Sequence, residues 1–144
     1  MDVSIFIKSH FRGNPRGAGE AAAIVEYIDK KGNTHTRQLR IEVGEDTKNS
    51  LMLQMCNTAV ELLLKPCTIT IHINCPYIAN AHKFGWVSDW EQLGWAKATG
   101  RELANAEQWK RFQKLMQMHT VTFASYTDNY DAELEKILNE GGRQ

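Results

Sequence analysis

The chain has no surplus of charge: 17 Lys and Arg balance 17 Asp and Glu. A protein that grips phosphate backbones mainly by charge carries a basic excess, so tight electrostatic binding of nucleic acid is not expected. Cysteine is scarce. Cys56, Cys67 and Cys75 are odd in number and show neither a CxxC pair nor zinc-ligand spacing, which argues against a disulfide framework or a zinc centre and for reduced structural thiols. No apolar run approaches the roughly 20 residues that cross a bilayer. The opening Met1-Asp2-Val3-Ser4 lacks the basic and then apolar pattern of a secretory leader, so a cytoplasmic protein that makes no membrane contact is expected. Internal repeats, low-complexity tracts and linkers are absent as well.

What is present suits one globular core. At 144 residues, with 42% apolar and 24% charged residues, the chain has room for one well-buried core and too little for two ordinary domains. The expected division is a single domain over residues 1–140 and a short tail over 141–144. Strand patterns come first: Val3 to Ile7, Ala21 to Asp29, and Thr34 to Val43, the last two joined by the turn-forming Lys30-Lys31-Gly32-Asn33. Arg12 to Gly19, rich in Gly, Asn and Pro, predicts a loop. Thr47 is an N-cap candidate for a helix through Leu64, ended by Pro66, with Leu51, Met55, Ala59, Leu62 and Leu63 on its apolar face.

Thr68 to Ile73 alternates at period two and predicts a fourth strand, and Pro76 to Lys83 a short helix with Pro in its first turn. A tryptophan-bearing helix follows, then a loop over Ala96 to Asn105 and a helix over Ala106 to Met118. Thr120 to Ala124 predicts a fifth strand, and Asn129 to Leu138 a closing helix stopped by Gly141-Gly142. The resulting order, β-β-β-α-β-α-α-α-β-α, predicts an α/β domain with a mixed sheet.

Four tryptophans punctuate the second half: Trp86, Trp90, Trp95 and Trp109. Residues four apart on a helix share a face, so Trp86 and Trp90 form an aromatic seam, with Gly94 as the stop. Packing between helix and sheet is the expected use of these rings, ahead of base stacking.

This tryptophan spacing, with Phe6 to Pro15, Thr47 to Leu53 and Ile71 to Tyr77 in the same order, resembles type 1 ribonuclease H over nearly the whole chain. The resemblance implies a ribonuclease H-like fold, a five-stranded mixed sheet flanked by helices, with a site at the ends of the central strands. It also implies a two-metal chemistry in which four carboxylates hold divalent ions that cut the RNA strand of an RNA–DNA hybrid.

Carried over residue by residue, the four carboxylate positions fall on Lys8, Met52, Asn74, and either Asp131 or Ala132. At most one acid of four remains. Hard Mg²⁺ wants anionic oxygen ligands, and an ammonium repels it. Lys8 is expected to pair with Asp131 instead, and no metal site and no cofactor is expected. Glu45 and Asp46, just before the first helix, read as acids at a helix start rather than as substitute ligands. His119 reads as a partner of a helix C-terminus. The family's longer loop, with its histidine, is reduced here to Ala124 to Tyr130.

Substrate contacts that the resemblance implies are Arg12, Asn14, Arg16, Thr47 and Asn49, with Asn49 facing the minor groove. The family's lysine-rich handle is reduced to Lys97 and Arg101, opposed by Glu91 and Glu102. The preferred reading is a ribonuclease H-like domain that has lost two-metal catalysis and serves as a weak nucleic-acid-binding or scaffold module. Its expected partners are RNA–DNA hybrid or duplex nucleic acid, or else a protein. The alternative is a divergent nuclease, which alone would call for Mg²⁺ or Mn²⁺.

Overall fold

The computed structural model describes residues 1–96 and 104–140. The expected element order is the order found, and its strands form the expected five-stranded mixed sheet. Strands β1 (Asp2–Phe11), β2 (Arg16–Ile28) and β3 (Thr34–Thr47) precede helix α1 (Lys48–Glu61) and strand β4 (Thr68–His72). Helices α2 (Pro76–Lys83), α3 (Trp86–Gln92) and α4 (Ala106–Met116) lead to strand β5 (Thr120–Ala124) and helix α5 (Asp131–Glu140). The sheet order is β3-β2-β1-β4-β5, with β1 antiparallel to β2 and parallel to β4.

Because β1 lies at the centre, both of its faces are covered. Alternation sends Val3, Ile5 and Ile7 into the larger core with α1, and Phe6 into a smaller core with Leu134, Ile137 and Leu138 of α5. Lys8 follows Phe6 on the α5 face. A charged residue two positions beyond a core aromatic is thereby held on a rigid central strand.

Several boundaries differ from the sequence expectation. The first loop shrinks to residues 12–15, because β2 already begins at Arg16. Its tightness explains the glycines there: a Cβ on Gly13 would lie 2.4 Å from the Gly17 nitrogen, and one on Gly17 2.6 Å from the Gly13 Cα. Strand β3 runs on to Thr47, with a register shift opposite Gly17 to Gly19. Helix α1 stops at Glu61, well before Pro66, and Leu62 caps it. It buries more than one face, since Met52, Leu53, Cys56 and Val60 are covered as fully as Leu51, Met55 and Ala59. The expected stop at Gly141-Gly142 and the 141–144 tail lie outside the described residues, as does most of the handle with Lys97 and Arg101.

Trp109 is completely buried. Its indole nitrogen donates to the Tyr77 hydroxyl at 2.9 Å, and its ring lies 5.3 Å from Trp90 and 5.4 Å from Phe112. Trp86 and Trp90 do adjoin, at 6.3 Å, yet Trp86 is 38% exposed and leans on Phe84. The seam therefore runs from core to surface. No helix among the described residues is long and apolar enough to cross a membrane.

Candidate functional site

The site is assembled at the ends of β1 and β4 and the beginnings of α1 and α5. Lys8, Met52 and Asn74, distant in sequence, line one hollow of about 180 Å³ together with Ile7, Ser9, Lys48 and Tyr126. Three of the four positions singled out from the sequence are thus brought together. The fourth arrives from the opposite side: Asp131, first residue of α5, accepts from the Lys8 ammonium at 2.7 Å. Ala132 is exposed, so Asp131 is the residue that faces the site.

The lysine is held more firmly than the sequence suggested. Glu135 lies 2.6 Å from the same nitrogen and also receives His10 Nε2 at 2.9 Å, and the Tyr126 hydroxyl donates to Asp131. Sequence reasoning missed Glu135, His10 and Tyr126. Spacing could have found two of them: Glu135 is four residues after Asp131 on a helix, and His10 two after Lys8 on a strand, so each shares its neighbour's face. Tyr126 gave no such signal.

The charges are tuned accordingly. Burial alone would lower the Lys8 pKa, but hydrogen bonds to Asp131 and Glu135, with their negative charge, outweigh it and hold the ammonium well above its ordinary value. The Lys8 hydrogen bond, then that of Tyr126, holds Asp131 below the usual carboxylate range. Lys8 and then His10 do the same for Glu135. Desolvation and the neighbouring Asp131 push Tyr126 up to about 12. Among the described residues no group of three or more His, Cys, Asp or Glu is close enough to share an ion.

These shifts fix a pH dependence. Depressed carboxylates contribute stability above their unfolded pKa values, about 3.9 for Asp and 4.3 for Glu, that is lost as pH falls through the lower folded values. The raised lysine contributes below its unfolded value of about 10.4 and loses that only as pH rises further. Lys8→Met keeps the apolar stem and removes the charge. Its urea midpoint is expected to lie below that of the unmodified chain at pH 7, and the gap to be smaller at acid pH, below the unfolded carboxylate values of about 3.9 and 4.3, as both carboxylates protonate. An equal gap at both pH values would refute the coupling.

The other candidates are dispersed and largely engaged. Arg12 donates to Glu20 at 2.9 Å, which holds that carboxyl low, and Arg16 lies 3.6 Å from Glu45 on the exposed surface. Asn14 is exposed and Asn49 half-buried; the Cys75 thiol points at the Asn49 amide oxygen at 3.6 Å. Thr47 is the helix cap, its hydroxyl accepting from the Ser50 amide at 3.2 Å. Asp46 serves the same turn, accepting from the Thr47 amide, the Ser50 hydroxyl and Gln54. His119 is no helix-end partner: it is buried, and its Nδ1 accepts from the Cys67 amide at 3.1 Å, tying the start of β5 to that of β4.

The RNase H family model matches residues 2–126. The chain belongs to the RNase H family. Similar curated proteins include ribonuclease H of Lachnoclostridium phytofermentans, 32% identical over 85% of this chain and 78% of that protein. Ribonuclease H of Prosthecochloris aestuarii is also 32% identical, over 99% of this chain and 93% of its own length. Among solved structures, LC9-RNase H1, a type 1 RNase H with the type 2 active-site motif, superposes with a TM-score of 0.78 at 20% identity, covering 99% of this chain and 74% of that one. The foamy viral protease-reverse transcriptase in complex with RNA/DNA hybrid gives 0.67 at 12% identity, covering 99% of this chain and 20% of that one. Those likenesses at low identity establish the fold. The family match ends before α5, so the Asp131–Lys8–Glu135 contact lies partly beyond it.

Proposed function

We propose that this RNase H-family domain has lost two-metal catalysis and serves as a weak nucleic-acid-binding or scaffold module. The observation that carries this reading is the Lys8 ammonium, 2.7 Å from Asp131 and 2.6 Å from Glu135. It engages two carboxylates of α5 and sets an ammonium where a divalent ion would need an anionic ligand. Met52, buried at the hollow wall, offers a thioether that hard cations do not favour. Asn74 offers at most a neutral oxygen. This donor set does not fit a pair of divalent ions, and no step of chemistry is assigned to them.

Binding can outlast catalysis because it draws on other residues. Arg12, Asn14 and Arg16 surround the tight first turn, and Thr47 and Asn49 stand at the start of α1. Each arginine already faces a carboxylate, so the counterion release available to a duplex is small and affinity is weak and independent of sequence. The alternative, a divergent metal-dependent ribonuclease H cleaving the RNA strand of RNA–DNA hybrids, draws support from the relatives, which carry the name ribonuclease H along nearly this whole chain.

The deciding experiment incubates the purified chain with an RNA–DNA hybrid in Mg²⁺ or Mn²⁺ and measures binding in parallel. No cleavage above background is expected. Binding at low salt should weaken with a log-log slope of about −2 to −4, for two to four phosphate contacts. Chelator-sensitive cleavage by the unmodified chain establishes the alternative. No binding at low salt shifts the reading to a protein partner.

A further inference from the structure

The hollow that gathers Lys8, Met52 and Asn74 is not merely a metal site with its ligands gone; its polarity is reversed. Its lining contains two ionised side chains, Lys8 and Lys48, and both are cations. Asp131 and Glu135 neutralise Lys8 from the α5 side, and neither of them lines the hollow. Lys48 is exposed at the first position of α1 and pairs with no carboxylate among the described residues. Asn74, exposed at the end of β4, adds an amide that can donate, beside Ser9 and the Tyr126 hydroxyl.

We infer that this hollow is a metal-free anion site that takes one phosphate of a single nucleic-acid strand, held between Lys48 and Asn74. The inference deepens the binding reading proposed above and rests on it. Size favours so small a group: about 180 Å³ lies below the roughly 300–1,000 Å³ of clefts that enclose a larger organic ligand. The path outward favours a strand over a free ion. Asn74 and Tyr126 also belong to the wall of a wider groove of about 900 Å³ between α2 and β5, lined further by Asn80, Lys83 and Ser125. A phosphate seated in the hollow leaves its neighbouring sugar and base in that groove, with Lys83 as a second cation beside them. The charge of Lys8 is spent on Asp131 and Glu135, so Lys48 is left to attract the anion.

The test uses the full chain with EDTA present. Amide shifts are followed by NMR, first with inorganic phosphate and then with a single-stranded RNA hexamer. Both probes should move the Asn74 side-chain amide and the backbone amides of Lys48 and Met52, and the hexamer should bind more tightly than phosphate. Lys48→Ala should weaken hexamer binding about tenfold, the loss of one charge-assisted hydrogen bond, and Lys48→Arg should stay within about twofold. Lys48 is exposed, so folding of both variants can be checked by their unchanged melting temperatures.

A silent hollow, or hexamer affinity unchanged in Lys48→Ala, overturns the inference while leaving the weak-binding reading intact through Arg12 and Arg16. Phosphate binding with no gain for the hexamer overturns the strand as ligand. Shifts that arise only when Mg²⁺ replaces EDTA overturn both this inference and the proposed loss of metal binding.

Discussion

Restoring Lys8→Asp, Met52→Glu and Asn74→Asp together is expected to turn this chain into a protein whose melting temperature depends on Mg²⁺. Without metal, the triple variant crowds its new carboxylates against Asp131 and Glu135, which lose the ammonium that now lies within 2.7 Å of each. Like charges at such range disfavour the compact state. Added Mg²⁺ then relieves the repulsion and binds the folded state alone. At about tenfold above its dissociation constant, this linkage supplies about 1.4 kcal/mol, or roughly 3–6 °C for a chain of this size. The unmodified chain should show no such rise. Single reversions should gain little, because ligands that act as one set are strongly non-additive. A scan with and without Mg²⁺ reads all of these directly. A metal-dependent rise in the unmodified chain, or none in the triple variant, would contradict the geometry described above.

Trp109→Ala should be the most damaging single substitution among the four tryptophans. The side chain is fully buried, with edge-on contacts to Tyr77 and Phe112 and a hydrogen bond from its indole to the Tyr77 hydroxyl. Its removal leaves a cavity between α2, α3 and α4, and aromatic-to-alanine changes of that kind cost about 3–5 kcal/mol. Melting should fall by roughly 6–20 °C. Trp86→Ala removes a ring that is 38% exposed and touches mainly Phe84 and Trp90, and its cost should stay near about 1 kcal/mol. Comparable losses from both would mean that the exposed ring is a structural member rather than the surface end of the seam.

The fold was readable where local chemistry repeats along the chain. A short β-rich run marked β1, period-two alternation marked β4, Pro76 marked the first turn of α2, and Thr47 marked the start of α1, each close to where it stands. Ends set by tertiary pairing were misplaced. Strand β2 reaches back to Arg16 because β3 continues alongside it to Thr47, and nothing local in Arg16-Gly17-Ala18-Gly19 announces that partner. Helix α1 was assigned a single apolar face. It buries more than that because α4 packs beside it as well as the sheet, with Asn57 donating to the Gln108 carbonyl at 2.9 Å.

Part of the site was readable too, through residue types that stand where carboxylates are expected. The sequence by itself determined that the charge is balanced and that an α/β fold of this order forms, and its resemblance set Lys8, Met52 and Asn74 where the family's carboxylates are expected. Residue identity and periodicity suffice for that. Only the tertiary structure decided what the replacements do. It set Glu135 beside Lys8, engaged Arg12 and Arg16 with Glu20 and Glu45, bonded the buried His119 to the Cys67 amide, and left Lys48 facing a hollow that no carboxylate lines among the described residues. The physical reason is range. Hydrogen bonds and ion pairs act over about 3–4 Å, whereas Lys8 and Glu135 are 127 residues apart in the chain, so only the packing of α5 across the sheet could bring them together.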